Sequence, residues 1–248
     1  MIDSHAHVIS EFYDDIDELV TKLKDKDILK VINCGDSVSS SKEVIRLNKK
    51  YDNFLVPAVG IHPQNIDIDF ENVNEIEKII KENKVVAVGE IGLDYNYCDE
   101  NKEEQKKCFN MQLDIAEKYN LPIIVHTRES IQDCYDILKK HKLKGVIHCY
   151  SGSLEMAKEF IKLGYKLGIG GVITFKNAKL GDVVKELDLK DILLETDSPF
   201  LSPEPYRGRK NIPSNVYYVA KKIAEVKKVS INDVIDITTQ NTKELFDI

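Results

Sequence analysis

Val85-Val86-Ala87-Val88-Gly89-Glu90 is an apolar run rich in β-branched residues that ends on a carboxylate. Its length and composition read as a buried strand. The pattern recurs: Ile123-Ile124-Val125 ends on His126, Val146-Ile147 on His148, and Ile192-Leu193-Leu194-Glu195-Thr196 leads into Asp197. The corresponding strands are Val85 to Glu90, Pro122 to His126, Gly145 to His148 and Asp191 to Glu195. Four more candidates, Ile2 to His5, Leu29 to Cys34, Phe54 to Gly60 and Lys166 to Gly170, complete the series. Amphipathic segments carrying most of the Lys and Glu separate them, which is the rhythm of a parallel α/β sheet. About eight such strands close a (β/α)8 TIM barrel, and residues 1–248 are expected to form one such domain.

The helical signals agree. Ser40 or Ser41 can cap a helix through Tyr51, and Phe109, Leu113 and Ala116 line one face of a helix that stops before Pro122. Pro213-Ser214 opens another with Val216, Val219, Ile223 and Val226 inward, and Ser230 with Asp233 resembles a capping box. The Pro-rich stretch from Ser198 to Pro213 reads as the loop after the last strand.

Composition narrows the class. Of 248 residues 42% are apolar, yet no run of about eighteen could span a bilayer. Met1 leads into Ile2 and Asp3 without a secretory pattern, so a cytoplasmic protein without a membrane or obligate protein partner is expected. The five cysteines are odd in number and lack Cys-x-x-Cys spacing, so they read as free thiols. A net charge of -7 disfavours bulk attraction to polyanions but leaves room for a local basic patch.

In a parallel barrel every strand's carboxyl end opens on one face. His5 and His7, one residue apart near the start, point the same way in an extended chain. A lone His or Glu at a strand end is ordinarily a hydrogen-bonded loop residue. His5, His7, Glu90, His126, His148 and Asp197 are six such N/O donors at five predicted strand ends, enough for two divalent ions sharing a carboxylate.

These residues lie in motifs that resemble the TatD family of metal-dependent deoxyribonucleases, within the amidohydrolase-like barrels. The motifs are Ile2-Asp3-Ser4-His5-Ala6-His7, Gly60-Ile61-His62-Pro63, Val88 to Tyr95, Pro122 to Arg128, His148-Cys149-Tyr150-Ser151-Gly152, Leu194 to Phe200 and Asn241-Thr242. The resemblance implies that His5 and His7 hold one metal, completed by Asp197, that His126 and His148 hold the other, and that Glu90 bridges them. It implies Asp197 and Glu90 as catalytic residues, Asp197 orienting or deprotonating the water that attacks phosphorus, and DNA as substrate, cleaved from an end. Ile9 departs from the family's usual Asp or Asn, which bears on a local contact and not on metal binding.

Substrate contacts are expected from His62, Arg128, Tyr150 and Arg207. His62 either meets a phosphate or stabilises its loop; Arg128 clamps phosphate or pairs with Glu129 or Asp133. Tyr150 stacks on a base or packs its loop. Tyr206-Arg207-Gly208-Arg209-Lys210-Asn211 concentrates positive charge near Asp197, Asp94 and Tyr95 shape the mouth, and Cys149 is expected in the core. Four imidazoles suit zinc, manganese or nickel, whereas phosphoryl chemistry often uses magnesium. The alternatives are an amide or ester hydrolase on the same barrel and a non-catalytic metal or nucleic-acid binding module.

Overall fold

Eight strands form one sheet in sequence order: β1 (Ile2–Ala6), β2 (Lys30–Cys34), β3 (Leu55–Val59), β4 (Ala87–Asp94), β5 (Ile123–Arg128), β6 (Gly145–Ile147), β7 (Tyr165–Ile169) and β8 (Ile192–Leu194). The computed structural model describes residues 1–98 and 100–248. Every neighbouring pair is parallel and helices alternate with the strands, giving the expected (β/α)8 TIM barrel. The expected strands recur within a residue or two at most ends. The exception is β4, which continues past Glu90 to Asp94.

The seam between β1 and β8 closes at the carboxyl end. Ala6 bridges Ser198 in parallel, the His7 N–H donates to the Ser198 carbonyl at 2.7 Å, and the Asp197 N–H donates to the His5 carbonyl at 3.0 Å. Buried Asp3 accepts from the Thr196 N–H, the Thr196 hydroxyl and the His5 N–H. Residues flanking the candidate donors therefore complete the barrel wall.

Two apolar layers support that wall. Ile32, Val56, Ala58, Ile124, Val146 and Leu193 pack together with Leu245 and Phe246 of the last helix. Val31, Leu55, Val59, Phe109, Leu113, Phe160, Val219 and Ile223 belong to the second, larger cluster. The helix Lys102–Tyr119 buries Phe109, Leu113 and Ala116 and ends at left-handed Asn120, ahead of Pro122. Pro213 opens a short 3-10 turn before the helix Val216–Lys227, whose Val226 is only half-buried. Ser230 Oγ accepts the Asp233 N–H at the start of the last helix. Ser37, not Ser40 or Ser41, caps the helix Val38–Lys50. The Asp69 carboxylate takes the Val38 N–H at 2.8 Å, a long-range partner that extends the helix start by a turn. Among the described residues no helix is long and apolar enough to cross a membrane.

Candidate metal centre

Two irregularities in the sheet fall on the expected donors. The β1–β2 register shifts between Asp3 and Ala6, and the β4–β5 register shifts between Val88 and Ile91. Such bulges re-aim side chains, here around His5 and Glu90. Asp197 and Cys149, just beyond β8 and β6, hold left-handed φ values of 55° and 47°. Non-glycine residues in that region commonly mark positions held by function.

Glu90, 3% exposed, is the centre of the cluster. Its Oε2 lies 3.2 Å from His5 Nε2 and 3.3 Å from His7 Nε2, while its Oε1 lies 2.9 Å from His126 Nδ1, 3.6 Å from His62 Nε2 and 3.7 Å from His148 Nε2. Asp197 Oδ1 stands 3.7 Å from His5 and His148 and 3.8 Å from His7. The Nε2 atoms of His5 and His7 are 3.1 Å apart. Donors bound to one ion at about 2.1 Å stand roughly 3.0–3.4 Å apart, so the spacings fit shared cations.

What lies behind each ring decides which nitrogen faces inward. His7 Nδ1 donates to the Cys34 carbonyl at 3.0 Å, and His5 Nδ1 lies 3.4 Å from the Cys34 thiol. His126 Nε2 donates to Asp94 Oδ2 at 3.2 Å. His148 Nδ1 is 3.0 Å from Glu195 Oε1, a charge contact to an oxygen that also takes the Cys149 N–H at 2.6 Å. All four rings thus have a possible acceptor on the outer side, which leaves the inner nitrogen as the one that can turn a lone pair to a cation once it is deprotonated. His62 is reversed. Its Nδ1 accepts the Gln64 N–H at 3.1 Å, so the proton of the neutral ring sits on Nε2 and that atom is a donor.

The charges follow from this crowding. Burial opposes ionisation of Glu90, but His5, His62, His148 and the His126 hydrogen bond hold its carboxyl well below the usual range. Burial also works against protonation of His7 and His148. Glu90 and Asp197 nevertheless carry His7 up to about 9, and Glu195, Glu90 and Asp197 carry His148 up to about 10. Burial and the neighbouring His126 push His62 down to about 3. Asp197 is pushed up to about 6 by burial, against the pull of His148 and His7.

The outer residues divide. Arg128 is exposed, and among the described residues its guanidinium pairs with no carboxylate; Asp133 is taken by the Tyr95 hydroxyl and Lys106, and Glu129 by Asn96. Tyr150 is 1% exposed and its hydroxyl donates to the Ser153 carbonyl, so it packs its loop and offers no stacking face. Arg207 lies 3.8 Å over the Phe175 ring and donates to the Ser202 carbonyl, and Lys210 donates to the Phe12 carbonyl. Much of the basic loop's charge is therefore engaged within its own wall. Cys149 is half-buried beside His148 and Glu195 rather than in the core, because its left-handed backbone turns it there. Ile9 is 2% exposed in the apolar layer, and its carbonyl accepts the Phe12 and Tyr13 N–H groups.

Sequence reading assigned no role to Glu195 or Asp3 and placed Asp94 at the mouth. Each supports a donor from behind or below. The available signal was spacing: Asp3 and Glu195 stand two residues before His5 and Asp197, on the same side of an extended chain.

The family model for TatD related DNase matches residues 2–247. The chain is 40% identical to an uncharacterized metal-dependent hydrolase of Bacillus subtilis, YabD, over 100% of this chain and 99% of the relative. It is 34% identical to the corresponding Escherichia coli protein YcfH, over 100% of this chain and 96% of that one. A crystal structure of the Escherichia coli TatD homolog YJJV superposes with a TM-score of 0.92 at 31% identity, covering 100% of this chain and 98% of that one. With its barrel, its inward-facing imidazoles and these relatives, the chain belongs to the TatD family and is a metal-dependent hydrolase.

Proposed function

We propose that this protein cleaves the phosphodiester bonds of DNA from a strand end, at a centre that takes two divalent cations. The observation that carries this reading is the split of Glu90: Oε2 faces His5 and His7, and Oε1 faces His126 and His148. A carboxylate with one oxygen towards each imidazole pair suits a bridge between two ions. His5, His7 and Asp197 would complete one set and His126 and His148 the other, of zinc, manganese or magnesium. Ions held there would lower the pKa of a water towards about 7 and offset charge on phosphoryl oxygens.

The chain's own groups supply the remainder. Asp197, with its carboxyl at about 6, accepts the proton of the attacking water. His62, whose Nε2 carries a proton, donates to a non-bridging phosphate oxygen. Arg128, exposed and unpaired among the described residues, suits a neighbouring phosphate in bidentate fashion. These two groups favour a phosphodiester over a cyclic amide. The test is nucleotide release from single-stranded DNA with added Mg²⁺, Mn²⁺ or Zn²⁺, alongside an ester and amide panel. Turnover confined to the panel overturns the assignment.

Two further results are expected. In the ion-free protein His7 and His148 are protonated at pH 7, and a cation must displace those protons. Loading therefore releases protons, and apparent affinity falls as pH is lowered; titration calorimetry in buffers of different ionisation enthalpy measures both. A Cβ on Gly168 would lie 2.1 Å from Glu195 Oε2. Gly168→Ala accordingly displaces Glu195 from behind His148 and lowers cation affinity or turnover by about 10- to 100-fold. Binding unchanged in that variant would remove Glu195 from the argument.

A further inference from the structure

Phe200 is 49% exposed on the loop after β8, three residues beyond Asp197. A single exposed aromatic is ordinary. This one is held in place. Its N–H donates to the Asp197 carbonyl at 2.8 Å, and its carbonyl accepts from Asn211 Nδ2 at 2.7 Å. Asn211 is fully buried, and the same amide nitrogen also holds the Thr196 carbonyl. The clamp that fixes the backbone around Asp197 thus fixes the Phe200 backbone as well, and with it the point from which the ring projects.

The ring is also placed beside the donor cluster. It packs edge-to-face on half-buried Phe12 with centroids 5.4 Å apart, and lies 6.2 Å from the His7 ring. Of the large apolar side chains exposed among the described residues, Phe200 is the one in aromatic contact with a histidine of the centre.

We infer that Phe200, backed by Phe12, is the stacking platform for the terminal nucleobase next to the phosphate being cleaved. The inference rests on the phosphodiester reading and adds to it a residue that contacts the base beside the phosphate, through the ring face rather than through base-edge hydrogen bonds. Stacking is tolerant of sequence because every base offers a π-face. With Tyr150 packed away, Phe200 fills the base-contacting role that sequence assigned to that tyrosine.

The test compares KM for a single-stranded oligodeoxynucleotide with KM for the same strand carrying abasic sites at both ends. The wild-type protein prefers the base-bearing strand by about 10-fold. In Phe200→Ala and Phe200→Leu that preference disappears, and in Phe200→Trp it returns. A preference that survives in Phe200→Ala, or is absent from the wild type, overturns the platform while leaving phosphodiester cleavage standing. Failure of the wild type to cleave either strand overturns both.

Discussion

Glu90→Gln lowers hydrolysis by about 10²- to 10⁴-fold and strips the protein of divalent cation, as removing one partner from a buried charge cluster costs about 3–5 kcal/mol. Gln fills the same volume, so the barrel has no cavity to collapse. The loss comes from the amide, which carries no negative charge and whose nitrogen cannot ligate a cation or accept from the imidazole nitrogens that stand 2.9–3.3 Å from the carboxylate. Stability of the ion-free protein changes with a defined pH signature. Burial alone would lower the His7 pKa; the hydrogen bond and charge of Glu90 lead the groups that carry it from 6.5 to about 9. The stabilisation from that raised group is fully present below about 6.5 and is lost as pH rises through about 9. Glu90 itself is depressed, so its contribution is present above 4.5 and disappears as pH falls through its lower folded value. The gap between wild type and Glu90→Gln in urea unfolding is therefore widest near pH 5–6.5 and narrows as pH rises from there through about 9. Metal analysis of protein purified without chelator checks the first half. Full cation content in the variant would remove Glu90 as the bridge.

The barrel was legible because its strands are short β-branched runs whose ends are polar, and local pattern is enough to mark those. Glu90 misled only on length: a carboxylate reads as the end of a buried strand, whereas a bulge turns it inward and β4 runs on to Asp94. The convergence of the candidate donors was legible because strand ends of a parallel barrel share one face. What supports them was not. The Cys34 carbonyl behind His7, Glu195 behind His148 and Asp94 behind His126 depend on the rotation of each ring, which no periodicity encodes. The same limit explains Tyr150 and Arg207. Both are residue types that suit nucleic acid, but one is satisfied by a carbonyl three residues away and the other by a phenyl ring from the preceding loop.

Asp197→Asn lowers kcat by about 10²- to 10⁴-fold, the range for loss of a general base, in a protein that remains folded. The substitution is clean for a backbone reason. Asp197 sits at φ 55°, a conformation Asn adopts readily, and its N–H still donates to the His5 carbonyl across the seam. Asp197→Ala would add left-handed strain at that position and confound lost chemistry with lost structure. Glu90 and the four inward imidazoles are untouched, so the variant retains most of its cation, measured by metal content, while turnover falls. Those two readouts separate a proton acceptor from a mere ligand: a ligand role alone would lower cation affinity and turnover together. Hydrolysis persisting at the wild-type rate in Asp197→Asn would mean that the activity arises outside this centre. The position carries two duties, because Thr196, Asp197 and Ser198 also join β8 to β1. Side chain and main chain divide them: the carboxylate reaches the imidazoles while the amide closes the wall. A loss of turnover without a loss of melting temperature is the result that division requires.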